Sequence, residues 1–140
     1  MVKGPFIASH SNCRALASSA RNLTDEQIKI VAGSGGVIGM NAYAPFASDI
    51  EDERTPEKLM EHLYRVAEIA GYSHVGLGMD LCDCVNSLRT SHDLPSGDLF
   101  RDHEDAAEKF LTPIKENFTK DISRKILGEN FFKLFERVLG

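Results

Sequence analysis

A short apolar run near the start of the chain, Pro5-Phe6-Ile7-Ala8-Ser9, ends on His10. A neutral imidazole is a good zinc ligand, and the end of a strand holds it rigidly. A histidine in such a place is also often a satisfied structural residue. Eleven residues further on stands Arg21, followed by Asn22. A guanidinium beside a site grips a carboxylate or phosphate through two parallel hydrogen bonds, and at a helix entrance it also serves as an ordinary surface residue. A second apolar run, His74-Val75-Gly76-Leu77-Gly78-Met79, delivers Asp80. That carboxylate can ligate a metal, handle a proton or cap a helix. Two strand ends presenting a base and an acid make a site hypothesis without yet naming a reaction.

The other reactive residue types offer less. Cys13 lies three residues from His10, but nothing around it marks an activated nucleophile. Cys82-Asp83-Cys84 has one residue between the sulfurs where structural zinc pairs have about two to four, and no second pair accompanies it. His62 falls on the expected solvent side of a helix, His92 and His103 in or next to a long loop, and His74 at a strand start. All four read as structural or surface residues. The sequence contains no GxGxxG, P-loop, HExxH or GxSxG.

These residues need elements to position them. The apolar run over Pro5–Ser9 reads as a strand, with a loop or short helix over Ser11–Ala20. Thr24-Asp25-Glu26-Gln27 is a capping box that opens a helix, ended by Gly33-Ser34-Gly35-Gly36. Val37–Asn41 is a second strand, apolar without alternation, as for a strand covered on both faces. Thr55-Pro56 starts another helix, whose stripe of Leu59, Leu63, Val66 and Ala70 reads as core and which Gly71 closes. His74–Gly78 is a third strand. Val85 to about Asp102 reads as a long loop over the active face. Helices follow, with Pro113 breaking or restarting one, Thr119 capping Lys120–Leu127, Gly128 stopping it, and Asn130–Leu139 carrying Phe131, Leu134, Phe135 and Val138 on one face. Strands alternating with helices imply parallel β-structure with right-handed crossovers.

Composition narrows the classes. The chain of 140 residues is one ordinary domain in size, shorter than the roughly 250 residues of a complete α/β barrel. A net charge of −5 argues against nucleic acid as a partner. No run approaches the ~18 apolar residues of a membrane span, and no signal-peptide core is visible at the start. Three cysteines without a disulfide framework point to a reducing, cytoplasmic compartment.

Several of these pieces resemble one family, the membrane (renal-type) dipeptidases. The resemblance rests on Ser9-His10-Ser11-Asn12, Arg21-Asn22-Leu23-Thr24-Asp25, Gly35-Gly36-Val37-Ile38-Gly39-Met40-Asn41-Ala42-Tyr43, Val75-Gly76-Leu77-Gly78-Met79-Asp80 and Ile126-Leu127-Gly128-Glu129-Asn130-Phe131-Phe132-Lys133-Leu134-Phe135. It runs in order over essentially the whole chain. It implies an α/β fold made of the last three βα units, about strands six to eight, of a (β/α)8 TIM-like barrel plus C-terminal helices. Residues 1–140 would then be a single partial segment of that barrel. It further implies a hydrolase of dipeptides with two zinc ions, His10 as a metal ligand, Arg21 as the grip on the substrate carboxylate, Asp80 as the proton-handling catalytic residue, and Tyr43 lining the substrate pocket. The sequence departs from the family at Asp80-Leu81-Cys82-Asp83, where many members carry an Asp-aromatic-Asp-Gly run. The family's His-x-Asp motif, bridging glutamate and other zinc histidine belong to strands one to five and have no counterpart in this chain. The expected partners are a dipeptide substrate and either the missing N-terminal half or a second copy. The alternative expectation is a non-catalytic remnant that serves as an association or binding module.

Overall fold

In the computed structural model, which describes residues 4–81 and 97–140, the capping box is formed. Thr24 Oγ1 accepts from the Gln27 amide at 3.2 Å, and the Gln27 side chain accepts from the Thr24 amide at 2.9 Å. Two otherwise orphaned donors are thereby satisfied at the start of α1 (Asp25–Gly33), which buries Ile28 and Val31. The chain turns back through Gly35, whose φ of 79° lies in the left-handed region open to glycine. It then enters β1 (Ile38–Met40), buried at every residue.

Short 3₁₀ turns at Ala44–Phe46 and Glu51–Glu53 lead to α2 (Pro56–Ala70), where Thr55 Oγ1 accepts from the Lys58 amide at 3.2 Å. Pro56 costs nothing at the first helical position, because its missing N–H would have no helical partner. A 3₁₀ turn at Tyr72–His74 then gives way to β2 (Val75–Leu77). The two strands are parallel, Ile38 opposite Val75 and Met40 opposite Leu77. The β1–α2–β2 unit is thus a crossover, as parallel pairing requires.

The first expected strand is smaller than the sequence suggests. It pairs only at Ala8, which bridges Ile38 in parallel, with Ala8 N–H donating to Val37 O and Gly39 N–H donating to Ala8 O. Pro5 has no amide to give a ladder, and Phe6 donates its amide to the Ser34 hydroxyl at 3.3 Å. The third strand also begins one residue late. His74 closes the 3₁₀ turn, and its ring Nδ1–H donates to Gly36 O at 2.7 Å.

Glycine lets these segments approach backbone to backbone. A Cβ on Gly78 would overlap the Ser9 carbonyl oxygen and come within 3.1 Å of the His10 Cα, and one on Gly39 would also collide with Ser9. The core lies beneath, where Leu59, Leu63 and Val66 of α2 pack with Ile28, Ile38, Val75, Phe110, Ile114 and Ile126. Each such side chain, fully buried, contributes about 1.5–3 kcal/mol.

The C-terminal part is helical: α3 (His103–Ala106), a π-helical turn at Ala107–Leu111, α4 (Thr112–Asn117), α5 (Lys120–Arg124), a second π-helical turn at Lys125–Glu129, and α6 (Asn130–Leu139). Pro113 sits in the first turn of α4, and the helix restarts there behind the wider turn. That turn accommodates a ring with no N–H that would crowd the carbonyl four residues back. Gly128 leaves helical geometry (φ 160°, ψ −25°) and breaks the helix there, as its sequence position led one to expect. Asn130 Nδ2 donates to Tyr72 O at 2.8 Å and Val75 O at 2.7 Å, pinning α6 to β2. Of the four apolar residues read onto one face of α6, Leu134 is buried, whereas Phe135 and Val138 are exposed.

Residues 82–96 hold most of the expected long loop, with Cys82, Asp83, Cys84 and His92, and lie outside the described residues. Beyond them Asp98 bridges Tyr43 in antiparallel fashion and Leu99 N–H donates to Ala42 O at 2.8 Å. Among the described residues no helix is long and apolar enough to cross a membrane.

Candidate active site

The segment after Ala8 folds back on itself. Leu23 N–H donates to Asn12 O at 2.9 Å and Arg14 N–H to Leu23 O at 2.8 Å, which closes the intervening loop and returns Arg21 to His10. Arg21 Nη2 lies 3.1 Å from His10 Nε2. A guanidinium only donates, so Nε2 accepts and the ring proton resides on Nδ1. Nδ1–H then donates to Ser9 Oγ at 2.7 Å. In this arrangement His10 carries its proton on Nδ1, and its Nε2 lone pair accepts from the Arg21 guanidinium.

Arg21 also stands 5.9 Å from the ring centroid of Phe46, whose edge meets the Tyr43 ring at 4.8 Å. Tyr43 is 39% exposed and so offers a surface beside Arg21. Asp80 arrives by the backbone. Gly78 N–H donates to Met40 O and Ala42 N–H to Met79 O, each at 3.0 Å, carrying the parallel pairing to the residue before it. Asp80 itself is exposed with φ 57°. A left-handed aspartate at a strand end is a strained position of the kind that clusters at functional sites. The structure thus brings His10 and Arg21 into contact, joins Tyr43 to them through Phe46, and places Asp80 at the same end of the sheet.

Three buried asparagines hold this arrangement, and sequence reasoning passed over them. Asn12 Nδ2 donates to Asn41 O at 3.0 Å and Phe46 O at 3.2 Å, while its Oδ1 accepts from Asn41 N–H at 3.0 Å. Asn22 Nδ2 donates to Ala17 O at 3.0 Å and Phe46 O at 2.9 Å. Asn41 Oδ1 accepts from Tyr43 N–H at 2.6 Å, and its Nδ2 is a buried donor with no acceptor among the described residues. Each asparagine supplies a returning loop with the partners that its buried backbone groups require.

His62 corrects the sequence reading outright. It was expected on the solvent side of its helix and is fully buried. Leu59 lies three residues before it and Val66 four after, so it shares their face. That spacing was the available signal. Cys13 is likewise buried, and desolvation, aided by the nearby Asp25 carboxylate, pushes its thiol up to about 12. It is an inert thiol.

Metal binding asks for more than His10. Its Nε2 lone pair is of the right kind, but the described residues contain no group of three metal-competent side chains. They can furnish one ligand and do not form a cage.

Comparison with known proteins decides the family. Residues 1–139 match the membrane dipeptidases, peptidase family M19. The chain belongs to the membrane dipeptidase family. It is 29% identical to dipeptidase ataJ of Aspergillus terreus over 97% of this chain and 31% of that protein. It is 33% identical to an uncharacterized dipeptidase of Schizosaccharomyces pombe over 57% of this chain and 20% of that one. Among solved structures, it superposes with a TM-score of 0.72 and 27% identity on a metallopeptidase from Rhodobacter sphaeroides, liganded with a phosphinate mimic of L-Ala-D-Ala. That match covers 96% of this chain and 36% of the other. The α/β fold is thus that of the M19 dipeptidases, and the chain spans about a third or less of these relatives' length.

Proposed function

We propose that these residues are the C-terminal part, about strands six to eight, of a metal-dependent dipeptidase barrel. In this reading residues 1–140 form one partial segment of the barrel. The observation that carries it is the contact between His10 and Arg21 at the strand ends of a chain in this family. His10 would supply one ligand to a metal through Nε2, and that metal, zinc in this reading and two ions in the whole enzyme, would polarise the amide carbonyl and acidify water when bound. Arg21 turns from His10 to the substrate carboxylate, where a guanidinium makes two parallel charge-assisted bonds. Asp80 carries the proton to the leaving amine. Tyr43 and Phe46 form the wall beside that carboxylate. The other metal ligands would come from barrel residues outside these 140, and the 140 residues alone are expected to hydrolyse nothing. The cysteine usage supports a reducing, cytoplasmic setting.

Two measurements test this. A simple dipeptide titrated into the labelled chain is expected to shift the Arg21 side-chain resonances, and no shift at millimolar dipeptide removes Arg21 from the carboxylate role. Dipeptide hydrolysis with added zinc is expected to be absent. Robust turnover by the chain alone overturns the incomplete cage.

A further inference from the structure

His62 belongs to none of the roles above, yet both of its ring nitrogens are engaged. Nδ1 accepts from the Cys13 amide at 2.9 Å, and Nε2 lies 2.8 Å from Ala47 O. An amide only donates and a carbonyl only accepts, so the neutral Nε2–H tautomer is the one that satisfies both. It is the opposite tautomer to that of His10. The ring is fully buried and sits between two loops. One carries His10, Asn12 and Arg21, with Cys13 three residues from His10. The other carries Tyr43 and Phe46, with Ala47 next to the residue on which Arg21 rests.

We infer that His62 is a positioning residue: a two-ended brace that fixes the His10–Arg21 loop against the Tyr43–Phe46 loop from beneath. The inference rests on the dipeptidase reading only in treating these loops as the site. The brace holds only while the ring is neutral. A proton added at Nδ1 would point at the Cys13 N–H, replacing an acceptor with a second donor and removing the tie. The charged groups acting on the ring are Lys58 and Glu61 from its own helix. The Cys13 thiol donates to the His62 backbone carbonyl at 3.5 Å, with Asp25 of α1 and Arg65 of α2 acting on that thiol. Burial favours the neutral ring and holds its pKa below the ordinary histidine value.

Nuclear magnetic resonance of the full labelled chain tests the brace without any hydrolysis assay, so it can fail while the dipeptidase reading stands, and the reverse. The imidazole spectrum is expected to show His62 as Nε2–H and His10 as Nδ1–H. His62→Leu removes both bonds and is expected to speed amide exchange at Cys13 at least about tenfold and to shift the His10 and Arg21 resonances, leaving the β1–β2 amides unchanged. His62→Gln keeps one acceptor and one donor and is expected to restore the Cys13 protection and the His10 resonances. A folded His62→Leu chain with wild-type His10 and Arg21 resonances overturns the proposal. If His62→Leu does not fold, acidification of the native chain decides: charging of His62 must coincide with loss of Cys13 protection and a change at Arg21. Charging with Arg21 unmoved overturns it equally.

Discussion

Asn12→Ala is the sharpest probe of the site's foundation. The side chain makes three hydrogen bonds, two of them with the amide and carbonyl of Asn41 and the third with Phe46 O. Phe46 O keeps Asn22 Nδ2 at 2.9 Å, so its loss is small. The Asn41 amide and carbonyl lose a partner each at a residue with no exposure, where an unmet polar group costs about 1–3 kcal/mol. The two penalties and the lost bonds are partly the same energy, so the variant is expected to lose about 3 kcal/mol. For a chain of this size that is roughly 10 °C in melting temperature. Urea denaturation followed by circular dichroism measures the first quantity and a thermal melt the second. A loss below about 1 kcal/mol would refute the assignment, because the buried backbone of Asn41 would then have found another partner. A double-mutant cycle sharpens the test. Asn12 and Asn22 share Phe46 O, which is stranded only when both are alanine. The double variant should therefore lose more than the sum of the singles, by about 1 kcal/mol.

Gly78→Ala drives a methyl group into the Ser9 carbonyl and toward the His10 Cα. A cost of about 1–3 kcal/mol is expected, with shifted His10 ring resonances, and a variant as stable as wild type would contradict the close approach. Lys109, the Arg101 amide and the Arg101 guanidinium hold the Asp105 carboxyl down to about 2. A folded-state value below the unfolded one means the stabilisation is full above about pH 4 and fades as pH falls toward about 2. Asp105→Asn should be less stable than wild type at neutral pH, and the gap should close across that window. A gap independent of pH would refute the ion pairing. Cys13, buried with a thiol pushed up to about 12, should resist iodoacetamide in the native chain and react once it unfolds, as peptide-resolved mass spectrometry will show. Prompt native labelling would mean the Cys13–His62 region opens readily.

The helices α1 and α2 were legible because their caps and stripes are local: Thr24 with Gln27, Thr55 with Pro56, and Leu59, Leu63 and Val66 on one face. His62 was misplaced because the stripe was counted in apolar residues alone, although a polar ring with both nitrogens bonded is as much a core residue as its neighbours. The run from Pro5 to Ser9 is shorter as a strand than its apolar content suggests: the missing amide of Pro5 is legible in the sequence, but that Phe6 spends its own on Ser34 is not. Of the site, His10, Arg21 and Asp80 could be named, but their meeting could not be derived. It depends on a loop closed by Asn12 with Leu23, and such a pairing leaves no periodic trace. The asparagines read as loop polarity because sequence alone does not show which backbone groups will be buried.

The π-helical turn at Lys125–Glu129 is a matter of residue count as much as of shape. Gly128 leaves helical geometry within it, so two helices meet at a kink, and because a helix advances about 100° per residue the residue count at that junction sets which way the second one faces. Asn130 comes immediately after this turn, and its amide reaches the carbonyls of Tyr72 and Val75 from there. Removing one residue from the turn would leave every downstream side chain chemically intact yet swing Asn130 about a quarter of the way around the helix axis. The attachment of α6 to β2 is therefore written in the length of the chain, and a single deletion would undo it where many substitutions would not.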